Sequence, residues 1–237
     1  MKTLIYVPII HSIADMGSLK EELKNKSISA LGENVWQRHM DTVNAYWDSI
    51  EGFFEHPDFP ARGIKIFQDG LFAEGEMALK IIDEGVKSGS KNSQIVSNLI
   101  QRGALLVRTE DLNMVKTEYD GLQSVLKAKN QSSKLLFLLI YKLSKPYFLY
   151  RRDKFIADRI AGSLAEDETG ILFIGAYHNI VKRLPGGIKV TELKEIAKMR
   201  DYQGAIQRGS VTGTLKFEQL TAYVIKEINP AILQPQP

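Results

Sequence analysis

Two histidines far apart in the chain, His11 and His178, each follow a run of apolar residues, and acidic residues hold comparable positions between them. Leu4 to Ile10 leads into His11, with Asp15 four residues further on. Gly63 to Phe67 leads into Gln68 and Asp69, Ala104 to Val107 into Arg108 and Glu110, and Ile171 to Ile174 into Gly175-Ala176-Tyr177-His178. Imidazoles and carboxylates gathered in one place suit a divalent metal such as manganese, cobalt or zinc, together with a water that the metal activates. His11, Asp69, Glu110 and His178 are the candidate ligands. Each alone has a plainer explanation. A histidine after a strand is often a satisfied, half-buried side chain, and Asp15 can bond early helix N–H groups. Asp69-Gly70 is a common turn pair, and Glu110 or Asp111 suits a first helical turn. The recurrence of polar residues at four run ends is what points to a site. His39, within a helical pattern, and His56, at its exit, have weaker claims.

These residues meet only if the four runs are parallel strands whose carboxyl ends share one edge of a sheet, the place where such sheets bind ligands. The pattern between the runs agrees. Trp36, Met40, Val43, Trp47, Ile50 and Phe54 recur at spacings of three and four, which predicts an amphipathic helix over 34–55, stopped by His56-Pro57-Asp58-Phe59-Pro60. Ser18 is placed to cap a short helix over 19–26. Further helices are expected at about 74–86, 92–101 and 112–126, and from 133 to 164 with a break or kink at Pro146. A short strand is expected at 188–190. Strands alternating with helices predict an α/β fold, a largely parallel central sheet flanked by helices in a single domain over 1–228. Residues 229–237, with three prolines, are expected to form a flexible tail.

Composition narrows the function classes. The 237 residues carry a net charge of +3, with 44% hydrophobic and 25% charged residues, an ordinary globular balance. Basic residues are scattered, without the basic stripe and interleaved aromatics of a nucleic-acid groove. Without cysteine there is no disulfide, zinc finger, iron–sulfur cluster or thiol nucleophile. The longest apolar run, Leu135 to Tyr141, is far short of the ~20 residues of a membrane span. The expected setting is cytoplasmic, without nucleic-acid or membrane partners. Gly209 to Thr214 lacks the lysine of a phosphate-binding loop. No G-x-S-x-G elbow is present either.

The stretch Arg151-Arg152-Asp153-Lys154-Phe155-Ile156-Ala157, followed by GILFIGAYH ending at His178, resembles the C-terminal signature of the TraB/TIKI group, which includes ChaN-like and erythromycin-esterase-like proteins. In that group an arginine-bearing helix precedes a strand ending in G-x-x-H, and a second such histidine follows the first strand. Here Gly175 to His178 is intact, whereas the earlier motif reads Pro8-Ile9-Ile10-His11, with proline in place of glycine. FQDGL at 67–71 and RTEDL at 108–112 look more like uncharacterised prokaryotic proteins with D-G-L and T-E segments. The resemblance covers roughly the first twenty residues and 60–190, and its motifs are short.

The resemblance implies a hydrolase of peptide, ester or phosphoester bonds, acting on a small-molecule or peptide substrate with a divalent metal. His11 and His178 would be ligands, one of them alternatively a general base, and Asp69 and Glu110 would complete the coordination or activate water. Glu74 and Glu76, in a first helical turn, are the lesser candidates. Arg152 would stabilise developing negative charge, with Asp15 and Asp153 as supporting partners of the histidine or the arginine. The alternative is a non-catalytic ligand-binding or regulatory module of the same fold. In that case the Trp36 and Trp47 face of the long helix would serve a homodimer.

Overall fold

The computed structural model describes residues 1–12, 14, 20–128, 130–209 and 214–233. Asp15, Ser18, Ser210–Gly213 and the end of the expected tail, 234–237, lie outside them.

Five strands form one all-parallel sheet: β1 (Lys2–Ile9), β2 (Lys65–Gln68), β3 (Leu105–Val107), β4 (Thr169–Gly175) and β5 (Ile188–Glu192), in the order β3-β2-β4-β1-β5. The fold is therefore α/β with a parallel sheet flanked by helices. In β1 and β4 nearly every residue is buried, since helices cover both faces; that is why these strands read as continuous apolar runs and not as alternating ones.

Between β1 and β2 come α1 (Lys20–Leu31) and α2 (Glu33–Glu55); α3 (Gly75–Lys87) and α4 (Lys91–Gln101) precede β3. From β3 the chain passes through α5 (Leu112–Leu126) and α6 (Gln131–Ser163) to β4, and α7 (Ile196–Gln207) and α8 (Leu215–Ile225) follow β5. Helix α2 packs against α1, α4 and α8. The crossover from β3 to β4 runs along the sheet in the opposite sense to that from β1 to β2. Right-handed connections therefore place α6 on the face opposite α2.

The break expected at Pro146 and the free tryptophan face expected on α2 are corrected. Helix α6 runs unbroken through Pro146. The proline is exposed, so the carbonyl it cannot bond faces the side that water reaches. The tryptophan face of α2 is not free for a partner either, because Trp36 and Trp47 are buried in the core of this same chain. The indole Nε1 of Trp47 donates to the carbonyl of Ile10 at 3.0 Å. Residues 230–233, expected to lie in the tail, form a 3-10 turn.

Pro8 sits inside a strand paired on both sides, yet breaks no ladder. Tyr6 bonds toward β5, its carbonyl accepting from the Leu193 N–H, and residue 8 faces the same way by the two-residue repeat. The pairing with β5 ends at Tyr6, so the missing N–H of Pro8 falls beyond it. Side chains collect the carbonyls at this strand end: Tyr46 donates to Pro8 at 2.5 Å and Gln203 to Ile9 at 3.0 Å. The backbone leading to His11 is held from α2 and α7.

Candidate functional site

The carboxyl ends of β1, β2, β3 and β4 share one edge of the sheet, and α6 crosses it at Arg152 and Asp153. Local turns fix each side chain there. After β2, Gly70 takes φ 77°, a left-handed conformation natural for glycine. Its N–H donates to Glu110 Oε1 at 2.8 Å. The carbonyl of Leu71 accepts from the N–H groups of both Thr109 and Glu110, lacing the β2 and β3 exits together. After β4, the N–H of His178 donates to the carbonyl of Gly175 at 3.0 Å. That single turn is the physical content of the G-x-x-H spacing, because it folds the imidazole back over the strand end.

A buried polar network results. Arg152 gives Nε to Glu110 Oε2 at 2.6 Å and Nη2 to Glu110 Oε1 at 2.5 Å, a two-pronged pair. Nη2 also reaches Asp69 Oδ1 at 3.0 Å, and Nη1 donates to Glu118. Asp69 turns its other oxygen, Oδ2, to the N–H of Gly175 at 3.2 Å. His178 Nδ1 lies 2.6 Å from Asp153 Oδ1, and Asp153 Oδ2 accepts from the N–H of Asn179 at 2.8 Å. Since an ionised carboxylate only accepts, Nδ1 carries the proton and Nε2 is the free nitrogen of the neutral ring. That nitrogen is 3.8 Å from Asp69 Oδ2.

Burial opposes charge on His178, but the Asp153 hydrogen bond and the negative charge of Asp69 outweigh it and raise its pKa above 6.5. Burial also opposes charge on Asp69. The positive charges of His178, Arg152 and His11 overcome it and hold the carboxyl well below the ordinary carboxylate range. For Glu110 burial raises the pKa, against the pull of Arg152.

The structure thus joins Asp69, Glu110, Arg152, Asp153 and His178. His11 is exposed at the same edge, near enough for its charge to act on Asp69. His39 is elsewhere, at 2.9 Å from the Tyr202 hydroxyl, and burial lowers its pKa to about 4. Glu74 pairs with Arg159 at 3.0 Å, outside the network.

Sequence patterning gives no sign of three participants. Glu118 closes the ring of carboxylates around Arg152. Arg200 holds the loop after β4 through the carbonyls of Ala176 and His178 and the Asn179 side chain. The hydroxyl of Tyr6 is buried without a hydrogen-bond partner, and Arg200, Asp69 and Asp153 act on it electrostatically. A strand pattern reports only that Tyr6 points inward.

Among the described residues no group of three or more histidines and carboxylates is placed to hold a metal ion. The cause is visible: Arg152 and backbone N–H groups occupy the oxygens of Glu110 and Asp69. As arranged, the donor set does not fit manganese, cobalt or zinc, because a guanidinium stands where the cation's charge would be needed. A cavity of about 700 Å³ opens at the opposite, amino edge of the sheet. Phe53, Phe59 and Ile64 line it together with a half-buried His56 and an exposed Asp58, so it lacks the buried charge of the His178 network.

No helix among the described residues is long and apolar enough to cross a membrane. Comparison of the chain with family models, with curated proteins and with solved structures finds no match.

Proposed function

We propose that this chain is a hydrolase of ester, peptide or phosphoester bonds in which His178 activates the attacking water. The observation that carries this is the line Asp153–His178–Asp69. One carboxylate holds Nδ1 at 2.6 Å, and a second faces Nε2 across 3.8 Å. That gap is too long for a direct hydrogen bond and suits a bridging water or substrate hydroxyl. Asp153 fixes the ring's tautomer and orientation. Nε2 takes a proton from the water as it attacks and returns it to the leaving group. The resemblance of 151–157 and 175–178 to the TraB/TIKI group supports the same reaction class.

Arg152 acts by holding Asp69 and Glu110 in place, its donors being committed to three carboxylates. His11, exposed beside Asp69, is the group left to meet negative charge developing on the substrate. The cation expected from the sequence would have to displace Arg152 from both carboxylates, so no step is assigned to it.

A panel of chromogenic esters, phosphoesters and peptides, assayed with and without a chelator, tests the proposal. Hydrolysis that survives chelation and falls about 10²-fold or more in His178→Gln supports it. Hydrolysis lost on chelation and restored by manganese, cobalt or zinc replaces it with metal catalysis. A wild-type protein inactive on the whole panel, yet binding a small ligand at this edge, favours the non-catalytic module.

A further inference from the structure

The distribution of apolar surface and charge outside the site singles out the α5–α6 hairpin. Helix α6 runs against the strand direction. Its last turns lie over the amino edge of the sheet, where Lys2 and Lys65 donate to the carbonyls of Ala161 and Ser163. Arg152 marks the carboxyl edge. The 21 residues from Gln131 to Arg151 therefore project beyond the sheet, about 30 Å at 1.5 Å per residue. Their main partner among the described residues is α5, and at the near end the guanidinium of Arg183 lies over the Tyr150 ring at 4.7 Å.

One side of this projection faces α5: Tyr141 lies against Gly121, and Tyr141 and Phe148 line a cavity of about 320 Å³ with Thr117, Gly121 and Ser124. The other side is apolar and open. Of 18 exposed large hydrophobic side chains among the described residues, ten lie between Leu112 and Tyr150, and Leu135 and Leu143 are 70% and 72% exposed. At 100° per residue, Leu135, Leu136, Leu139, Ile140, Leu143, Tyr147 and Tyr150 fall within an arc of about 140°. An apolar patch of this extent marks an interaction surface.

Charge selects the occupant. Residues 112–151 hold seven Lys and Arg and two Asp and Glu, a net +5. The rest of the chain, from totals of 31 and 28, holds 24 and 26, a net −2. The whole positive excess of the protein sits on the α5–α6 hairpin. A second copy meeting this face symmetrically would set +5 against +5. An anionic bilayer matches both properties, taking the leucine and tyrosine stripe at the headgroup boundary and the cations among its phosphates.

We propose that the α5–α6 hairpin docks this protein on the surface of an anionic lipid bilayer, with α6 lying in the interface and not crossing it. The inference does not depend on the catalytic reading. Flotation with two sets of vesicles tests it, one of phosphatidylcholine alone and one with about one-third phosphatidylserine. The wild type should float with the anionic vesicles, and about 0.5 M salt should weaken the binding several-fold by screening. The double variant Leu139→Glu/Leu143→Glu should bind at least about tenfold less while keeping its circular dichroism, since both side chains are exposed. Wild type that stays unbound to anionic vesicles overturns the proposal, and that arm needs no variant. Binding untouched by the double variant overturns it as well. Self-association in light scattering that the double variant abolishes, without vesicle binding, assigns the face to a second copy instead.

Discussion

His178 presents Nε2 to the Oδ2 of Asp69 across 3.8 Å, while Asp153 secures the opposite nitrogen of the same ring. An imidazole held by one carboxylate and faced by another differs from a metal ligand in what it predicts.

The rate should respond to pH through His178. The base is the neutral ring, so hydrolysis should rise with pH through a midpoint above 6.5. Asp153→Asn removes the hydrogen bond that raises this pKa. Its limb should move to lower pH while the plateau rate falls about 10²–10⁴-fold, as expected when the ring loses its orienting carboxylate. Rate profiles of the two proteins check both parts.

Stability should carry the same signature with a defined sign. The folded pKa of His178 lies above its unfolded value, so its contribution is fully present below about pH 6.5 and is lost as pH rises through the folded value. Urea midpoints of wild type and His178→Gln should therefore differ most in mild acid and converge in alkali. A difference that grows with pH would show that the ring is held in its neutral form.

Arg152→Met should cost about 3–5 kcal/mol, because it leaves Glu110 and Asp69 buried without their cation. Arg152→Lys should recover only part of this, since a lysine cannot make the two-pronged bond to Glu110. Denaturant titration measures both. A neutral Arg152→Met would mean that the carboxylates have another partner.

Trp47→Phe should lose about 1 kcal/mol for the hydrogen bond to Ile10, plus a packing cost, with no change in association state. Trp47→Glu should fail to fold, as it buries an unpaired carboxylate. Light scattering beside thermal melts distinguishes these from a tryptophan that serves an interface.

The fold was legible because its signals are local. Continuous apolar runs mark strands covered on both faces, and the parallel sheet then brings residues 11, 69, 110 and 178 to one edge. The partners within the site were not legible. Glu118 meets Arg152 only because α5 and α6 lie antiparallel past that edge, and a pairing across 34 residues leaves no periodic trace. The same holds for Arg200, whose targets are backbone carbonyls that any sequence supplies. The tryptophan periodicity of α2 revealed an apolar face, but periodicity cannot say whether the sheet or another chain covers it.

Nitrogen-detected NMR of His178, assigned by comparison with His178→Gln, tests the central arrangement most directly. The neutral ring should be protonated on Nδ1, titrate with a midpoint above 6.5 and shift downward in Asp153→Asn. A ring protonated on Nε2, or one that titrates below 6.5 and is indifferent to Asp153, would contradict an Asp153-held base facing Asp69.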